Sequence, residues 1–245
     1  YGVKIGYETT FYNEWGVESG MAEYTSKTIF KRDENGYLIG ESTLSISNIV
    51  PEFKYENITF RRDEYGRVNG LRKVTSHGLY SSGAYNATVL FVEEIHYKRD
   101  DTTHMRIGEV IEQWSYDGSG NNWFLIPNVG YTITVNVMTD IEETTVDGAP
   151  KVNLVKTMKN VMFTAQGSNY YTSPEMLEEL YREALNNEAI NEDMSKYDQG
   201  GFRIGNYLST SWTIAKLGYD KDTMRLYSEE TYSYNNEYGK SWQRK

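Results

Sequence analysis

Three histidines, His77, His96 and His104, supply all the imidazole in this chain, and cysteine is absent. Thiol catalysis, cysteine-held zinc, iron–sulfur clusters and structural disulfides are therefore excluded. If Asp100-Asp101 turns a hairpin, His96 and His104 fall on neighbouring strands with Glu93 and Glu94 close by. That is a donor set a hydrolytic zinc ion could use, although exposed strand histidines are the plainer reading. Carboxylates are plentiful: Glu93, Glu94, Glu109, Glu112, Glu142 and Glu143. A glycosidase needs two of them facing across a cleft at roughly 5–10 Å. Glu109 with Glu112, or with Glu93, is the pair the sequence offers; solvent-facing strand glutamates account for the same residues. Asp117-Gly118-Ser119-Gly120-Asn121 presents oxygens to calcium but lacks the alternating Asp register and the distal bidentate Glu. There is no nucleotide-binding glycine motif and no Gly-x-Ser-x-Gly elbow. No catalytic residue, metal or cofactor is assigned.

The aromatics point elsewhere. With 22 Tyr, 5 Trp and 8 Phe they make up 14% of the chain. Tyr80, Tyr85, Trp114, Tyr116, Trp123, Phe124 and Tyr131 gather near loops rich in Gly, Ser and Asn. Exposed Trp and Tyr rings stack on sugars or pack against partners with little rotamer entropy to lose. Trp114, Tyr116, Trp123 and Tyr131 are the expected ligand contacts, and the loop 117–128 is the expected apolar patch. The competing reading is that these rings fill a core or pair across strands.

Charge and hydropathy narrow the partners. The formal charge is −10 and the 35 acidic residues are dispersed, which argues against nucleic acid. No apolar run approaches the ~18 residues of a membrane-spanning helix. The sequence opens at Tyr1 without a basic, apolar leader. A mature exported protein would read this way, as would a lipoprotein trimmed past a lipid anchor upstream of Tyr1, or an excised domain. The expectation is an extracellular, periplasmic or outer-membrane location.

The elements that must position these residues are set by a repeat. Phe30-Lys31-Arg32-Asp33-Glu34-Asn35-Gly36-Tyr37-Leu38-Ile39-Gly40 returns as Phe60-Arg61-Arg62-Asp63-Glu64-Tyr65-Gly66-Arg67-Val68-Asn69-Gly70. Weaker echoes follow at Tyr97–Asp101, Trp114–Gly120, Leu217–Asp222 and Tyr232–Gly239. Asp-x-x-Gly between alternating apolar residues is a hairpin signal: Asp accepts from the backbone two residues on, and Gly supplies a positive φ. The flanks alternate as strands do, most cleanly at Tyr131, Ile133, Val135 and Val137 with Thr132, Thr134 and Asn136 opposite. Further strands are expected near 105–116, 152–165, 203–216 and 223–234. Lys31-Arg32, Arg61-Arg62 and Lys98-Arg99, next to acidic turns, read as guards of strand edges that also form surface ion pairs, and the tail 240–245 as frayed.

One segment differs. Ser173-Pro174-Glu175 reads as a helix start, and Met176, Leu177, Leu180, Tyr181, Ala184 and Leu185 follow at helical spacing. A single amphipathic helix is predicted over 174–188, extending at most to Met194, capping one end of the sheet.

The unit Phe60–Val68 resembles the YD/RHS-type repeat, whose core reads aromatic-x-Tyr-Asp-x-x-Gly-Arg-aliphatic, and Trp114–Gly120 matches its first half. The chain is also similar to secreted or lipoprotein domains of Bacteroidetes with a porin-like single-sheet meander. Arg32 and Arg62 replace the tyrosine of the unit and Asn235 replaces an aspartate, so the match is degenerate over about half the chain. The resemblance implies a hairpin meander and a cell-envelope setting, and no catalytic residues.

Together these readings predict an all-β protein: one domain over 1–245, an antiparallel hairpin meander curled into an open barrel or bent sheet, with a helix insertion at about 173–195. The expected role is non-enzymatic, an exported envelope-associated binding or adhesion module for a glycan or protein. The alternatives are a glycan-acting hydrolase using a carboxylate pair and a barrel carrying a small apolar ligand.

Overall fold

A computed structural model of the chain describes residues 4–11, 24–47, 52–81, 84–116, 128–145, 152–165, 172–186, 203–235 and 239–245. It contains β1 (Gly6–Phe11), β2 (Tyr24–Arg32), β3 (Leu38–Ser47), β4 (Glu52–Arg62), β5 (Val68–Ser81), β6 (Ala84–Arg99), β7 (Arg106–Tyr116), β8 (Asn128–Thr144) and β9 (Val152–Ala165). A helix, α1 (Pro174–Asn186), follows, and then β10 (Arg203–Ile204), β11 (Tyr207–Tyr219), β12 (Leu226–Asn235) and β13 (Gly239–Arg244). Apart from β10, which pairs only with β11, strands successive in the chain are hydrogen-bonded neighbours. The expected all-β antiparallel meander with one helix is therefore the fold. The chain falls into two compact units, Tyr1–His96 with Gln113–Gly130, and Tyr97–Glu112 with Tyr131–Lys245.

In the first unit the repeat builds two turns of one design. Asp33 Oδ1 accepts from the N–H groups of Asn35 (3.0 Å) and Tyr37 (2.8 Å), and Gly36 donates its N–H to the Asp33 carbonyl (3.0 Å). Asp63 Oδ1 likewise accepts from Tyr65 (3.0 Å) and Arg67 (2.9 Å), and Gly66 donates to the Asp63 carbonyl (2.9 Å). Gly36 and Gly66 sit at φ of 83° and 77°, where a Cβ costs ~1–2 kcal/mol. The arginine before each Asp is not an edge guard. Arg32 donates to the Gly36 carbonyl (2.8 Å), while Arg62 reaches the Gly66 carbonyl and also Leu38 O (2.7 Å) of the preceding hairpin. Arg62 thus ties one repeat to the next.

The second unit holds most of the apolar interior. Tyr131, Ile133, Val135 and Val137 are buried on one face of β8, as their alternation requires, against Val161 and Phe163 of β9 and Trp212 and Ile214 of β11. Trp212 stacks on Tyr234 of β12, with ring centroids 6.0 Å apart. Helix α1 buries Leu177, Leu180, Tyr181 and Ala184 of the predicted stripe, with Met176 and Leu185 half-buried. Ser173 caps its start by accepting the Met176 N–H (3.3 Å), and Lys159 of β9 donates to the Leu185 carbonyl (3.2 Å) at its end. The possible extension to Met194 lies outside the described residues.

Two expectations are corrected in this unit. The echoes at Asp100 and Asp220 form turns one residue longer than Asp-x-x-Gly, with His104 (φ 57°) and Met224 (φ 56°) in the left-handed position. His104 is thus a turn residue, not a strand residue. The tail does not fray: Gly239–Arg244 pairs along β12, with Tyr232 opposite Trp242, and Glu229 and Lys245 exchange main-chain bonds beyond it.

Candidate functional site

Among the described residues of the second unit, a buried chain of hydroxyls ends on a carboxylate. Tyr131 donates to Glu112 Oε1 over 2.6 Å, and the Tyr131 oxygen lies 2.6 Å from Thr172 Oγ1. Thr172 in turn bonds the Tyr207 hydroxyl. Three of these positions are strand residues and the fourth immediately precedes the helix cap. Glu112 ends the buried face of β7 that begins with Gly108 and Val110. Tyr131 opens the buried face of β8, and Tyr207 starts β11. Burial, and then the Glu112 carboxylate beside it, push the Tyr131 phenol well above its ordinary range, so it remains a donor. Each hydroxyl can give one proton onward, from Tyr207 to Thr172 to Tyr131 to Glu112, which leaves no buried partner unmatched along that line.

Tyr131 is therefore corrected as a surface contact: it is 3% exposed and committed to this chain. The physical reason is strand parity, since position 131 shares the core face with Ile133 and Val135. Trp114 and Tyr116 are half-buried on β7. Trp123 and the rest of the loop 117–127, with the calcium-type Asp117–Asn121 segment, lie outside the described residues. The Glu109–Glu112 pair is not assembled. Residues three apart on a strand point to opposite faces. Glu109 accordingly faces away from the core, where it takes a bond from Asn136 Nδ2 (2.9 Å) and pairs with Arg106. Glu93 accepts from Gln113 (2.8 Å).

In the first unit the two faces of the sheet carry opposite charge, which register makes explicit. On one face Lys31, Gly40, Thr59, Arg72 and Glu94 form a row across β2 to β6, followed by Arg61, Gly70 and His96. Behind them run Ile29, Ser42, Asn57, Val74 and Val92, then Lys27, Leu44, Tyr55, Ser76 and Val89. The other face carries Glu41, Glu52, Glu56 and Glu93 against Lys54 and Lys73. Arg72 approaches Glu94 to 3.2 Å and Arg61 also pairs with Glu94, so two guanidiniums converge on one carboxylate. Lys31 Nζ and Ser42 Oγ each donate to Asn57 Oδ1 at 2.8 Å.

Among the described residues, this unit supplies nine of the thirteen exposed large hydrophobic side chains and only two of the eighteen buried ones, Phe53 and Val92. Its apolar residues are displayed where those of the second unit are buried. No protein-family model matches the chain, and a search of curated proteins finds no match.

Proposed function

We propose that the chain is a non-enzymatic binding or adhesion module, exported and associated with the cell envelope, whose ligand is a glycan or a protein. One observation carries this reading: the first unit displays Ile29, Tyr37, Tyr55 and Tyr65 on strands and turns that are otherwise fixed by backbone and side-chain hydrogen bonds. Exposed rings on a preorganised sheet lose little entropy on contact, which is the property a binding surface needs. The repeat's resemblance to envelope-associated hairpin arrays supports the location. The carboxylate-pair alternative is weakened because Glu109 and Glu112 occupy opposite faces.

The test is a glycan array probed with the wild-type chain and with Tyr55→Ala, with reducing ends assayed in parallel. Retention of at least one ligand class by the wild type, weakened in the variant and without bond cleavage, is expected. Release of new reducing ends that stops with Glu112→Gln would replace this reading with the hydrolase.

A further inference from the structure

We propose that the lysine- and arginine-bearing face of the first unit docks an acidic glycan strand, one whose sugars carry carboxylates. This rests on the binding-module reading and names its ligand. Four cations (Lys27, Lys31, Arg61 and Arg72) stand on that face against two carboxylates, Glu8 and Glu94; the opposite face sets Lys54, Lys73 and Lys4, whose ammonium lies over Tyr7 and Phe30, against four carboxylates. In a chain of net charge −10, a positive face is a local reversal of sign, and it favours an anionic partner in one orientation.

The groups are accessible. Arg72 and Arg61 side chains are 54% and 41% exposed, and Lys27 and Lys31 are exposed as well. Lys31, Gly40, Thr59 and Arg72 lie in one row on four adjacent strands, a span of roughly 14 Å at about 4.8 Å per strand. Gly40 contributes no side chain, so the row dips between its lysine and its arginine. The convergence of Arg61 and Arg72 on Glu94 shows that their planar donors already suit a carboxylate, and a guanidinium has donors to spare for a second one. Asn57 spends its Oδ1 on Lys31 and Ser42, and its Nδ2 donor has no partner among the described residues.

The face therefore offers donors to an acceptor-rich ligand. Beside them Ile29, Leu44, Val74 and Tyr55 supply an apolar strip, with Tyr55 36% exposed. A hexuronate presents both a carboxylate and an apolar ring face. An acidic peptide presents the charge without the ring, so the strip favours the sugar.

The experiment titrates the full chain with polygalacturonate, dextran and polyglutamate by isothermal calorimetry. Polygalacturonate should bind, with an affinity that falls as salt rises. Lys31→Glu with Arg72→Glu should weaken it by about tenfold or more, and Tyr55→Ala by several-fold. Lys54→Glu, on the opposite face, should leave it unchanged, and far-ultraviolet dichroism confirms that each variant folds. Equal binding of polyglutamate, or full binding by the charge-reversed variant, overturns the proposal. A chain that retains a neutral glycan on the array but ignores polygalacturonate overturns the docking face and leaves the binding-module reading standing.

Discussion

The phenol of Tyr181 fills the space that a side chain at Gly108 would need: a Cβ there would lie 2.7 Å from the hydroxyl and 2.8 Å from Cε2. The same hydroxyl donates to the neighbouring Ile107 carbonyl at 3.4 Å, so helix and strand are fitted at one point. Lys98 completes the contact, its ammonium 5.5 Å from the Tyr181 ring centroid and paired with Glu178 on the same helix. Gly108→Ala should therefore destabilise by ~1–3 kcal/mol through overpacking. Tyr181→Ala in the same chain removes the side-chain part of the obstruction and leaves the Asn136 carbonyl, 2.5 Å from that Cβ, so the two losses should fall short of their sum when measured by urea unfolding. Strict additivity would mean that α1 does not rest on β7 here.

The hydroxyl chain makes a different demand. Tyr131→Phe keeps the ring in the core but takes from Glu112, 5% exposed, the hydroxyl that donates to it over 2.6 Å. Losing one buried hydrogen bond costs ~1–3 kcal/mol. Tyr207→Phe, which removes only the far end of the chain, should cost less. Glu112→Gln retains an acceptor for Tyr131 and should be the mildest of the three. Thermal unfolding of the three variants orders them, and a Tyr207→Phe loss exceeding that of Tyr131→Phe would contradict the direction of donation.

Both features bear on what the sequence can disclose. The period-two run from Tyr131 to Val137 names its own buried face, and the six-residue stripe of α1 names the helix, because burial leaves a periodic trace. That same parity already placed Tyr131 inside and Glu109 and Glu112 on opposite faces. Residue type alone points Tyr131 outward and pairs the two glutamates; strand parity overrides both. Other features leave no such trace. The linkage of Glu112 through Tyr131 to Thr172 and Tyr207 depends on which strands end beside the helix start, and no local pattern encodes that. The opposite charge of the two faces in the first unit emerges only when the register across β2 to β6 is known. Both turn classes begin with Asp, but Thr103 and Thr223 stand where the first class has Gly36 and Gly66, and the extra residue shifts the left-handed position onto His104 and Met224.

Those turn positions yield a paired prediction. Gly66→Ala places a Cβ at φ 77° and should cost ~1–2 kcal/mol. His104→Gly and Met224→Gly remove that strain from the longer turns, at φ 57° and 56°. The gain is reduced by the roughly 0.4–1 kcal/mol of extra chain entropy that glycine gives the unfolded state. A net stabilisation of about half a kcal/mol is expected at each site. Chemical denaturation resolves the sign, and a loss at both positions would show that the His104 and Met224 side chains hold their turns by contact.

The acid side of the stability curve should carry the mark of the longer turns. Asp100 Oδ1 accepts from the Thr103 N–H (2.7 Å) and hydroxyl (2.8 Å), and Asp220 Oδ1 accepts from the Thr223 hydroxyl and N–H, both at 2.7 Å. Bonds from Thr103, the backbone one first, hold the Asp100 carboxyl below its usual range, and bonds from Thr223, the side-chain one first, do the same for Asp220. A carboxyl with a depressed folded value stabilises the fold above its unfolded value of about 4 and loses that contribution as pH falls through the folded one. Asp100→Asn with Asp220→Asn keeps an oxygen acceptor at each turn but removes the titration. The wild type should lose stability more steeply than this variant below pH ~4, while the two curves run parallel from pH ~5 to 8. Thr103→Val with Thr223→Val should flatten the acid limb only in part, because valine removes the hydroxyl bonds and keeps the backbone N–H donors. Parallel acid limbs in all three proteins would mean that these carboxyls titrate alike in the folded and unfolded chain.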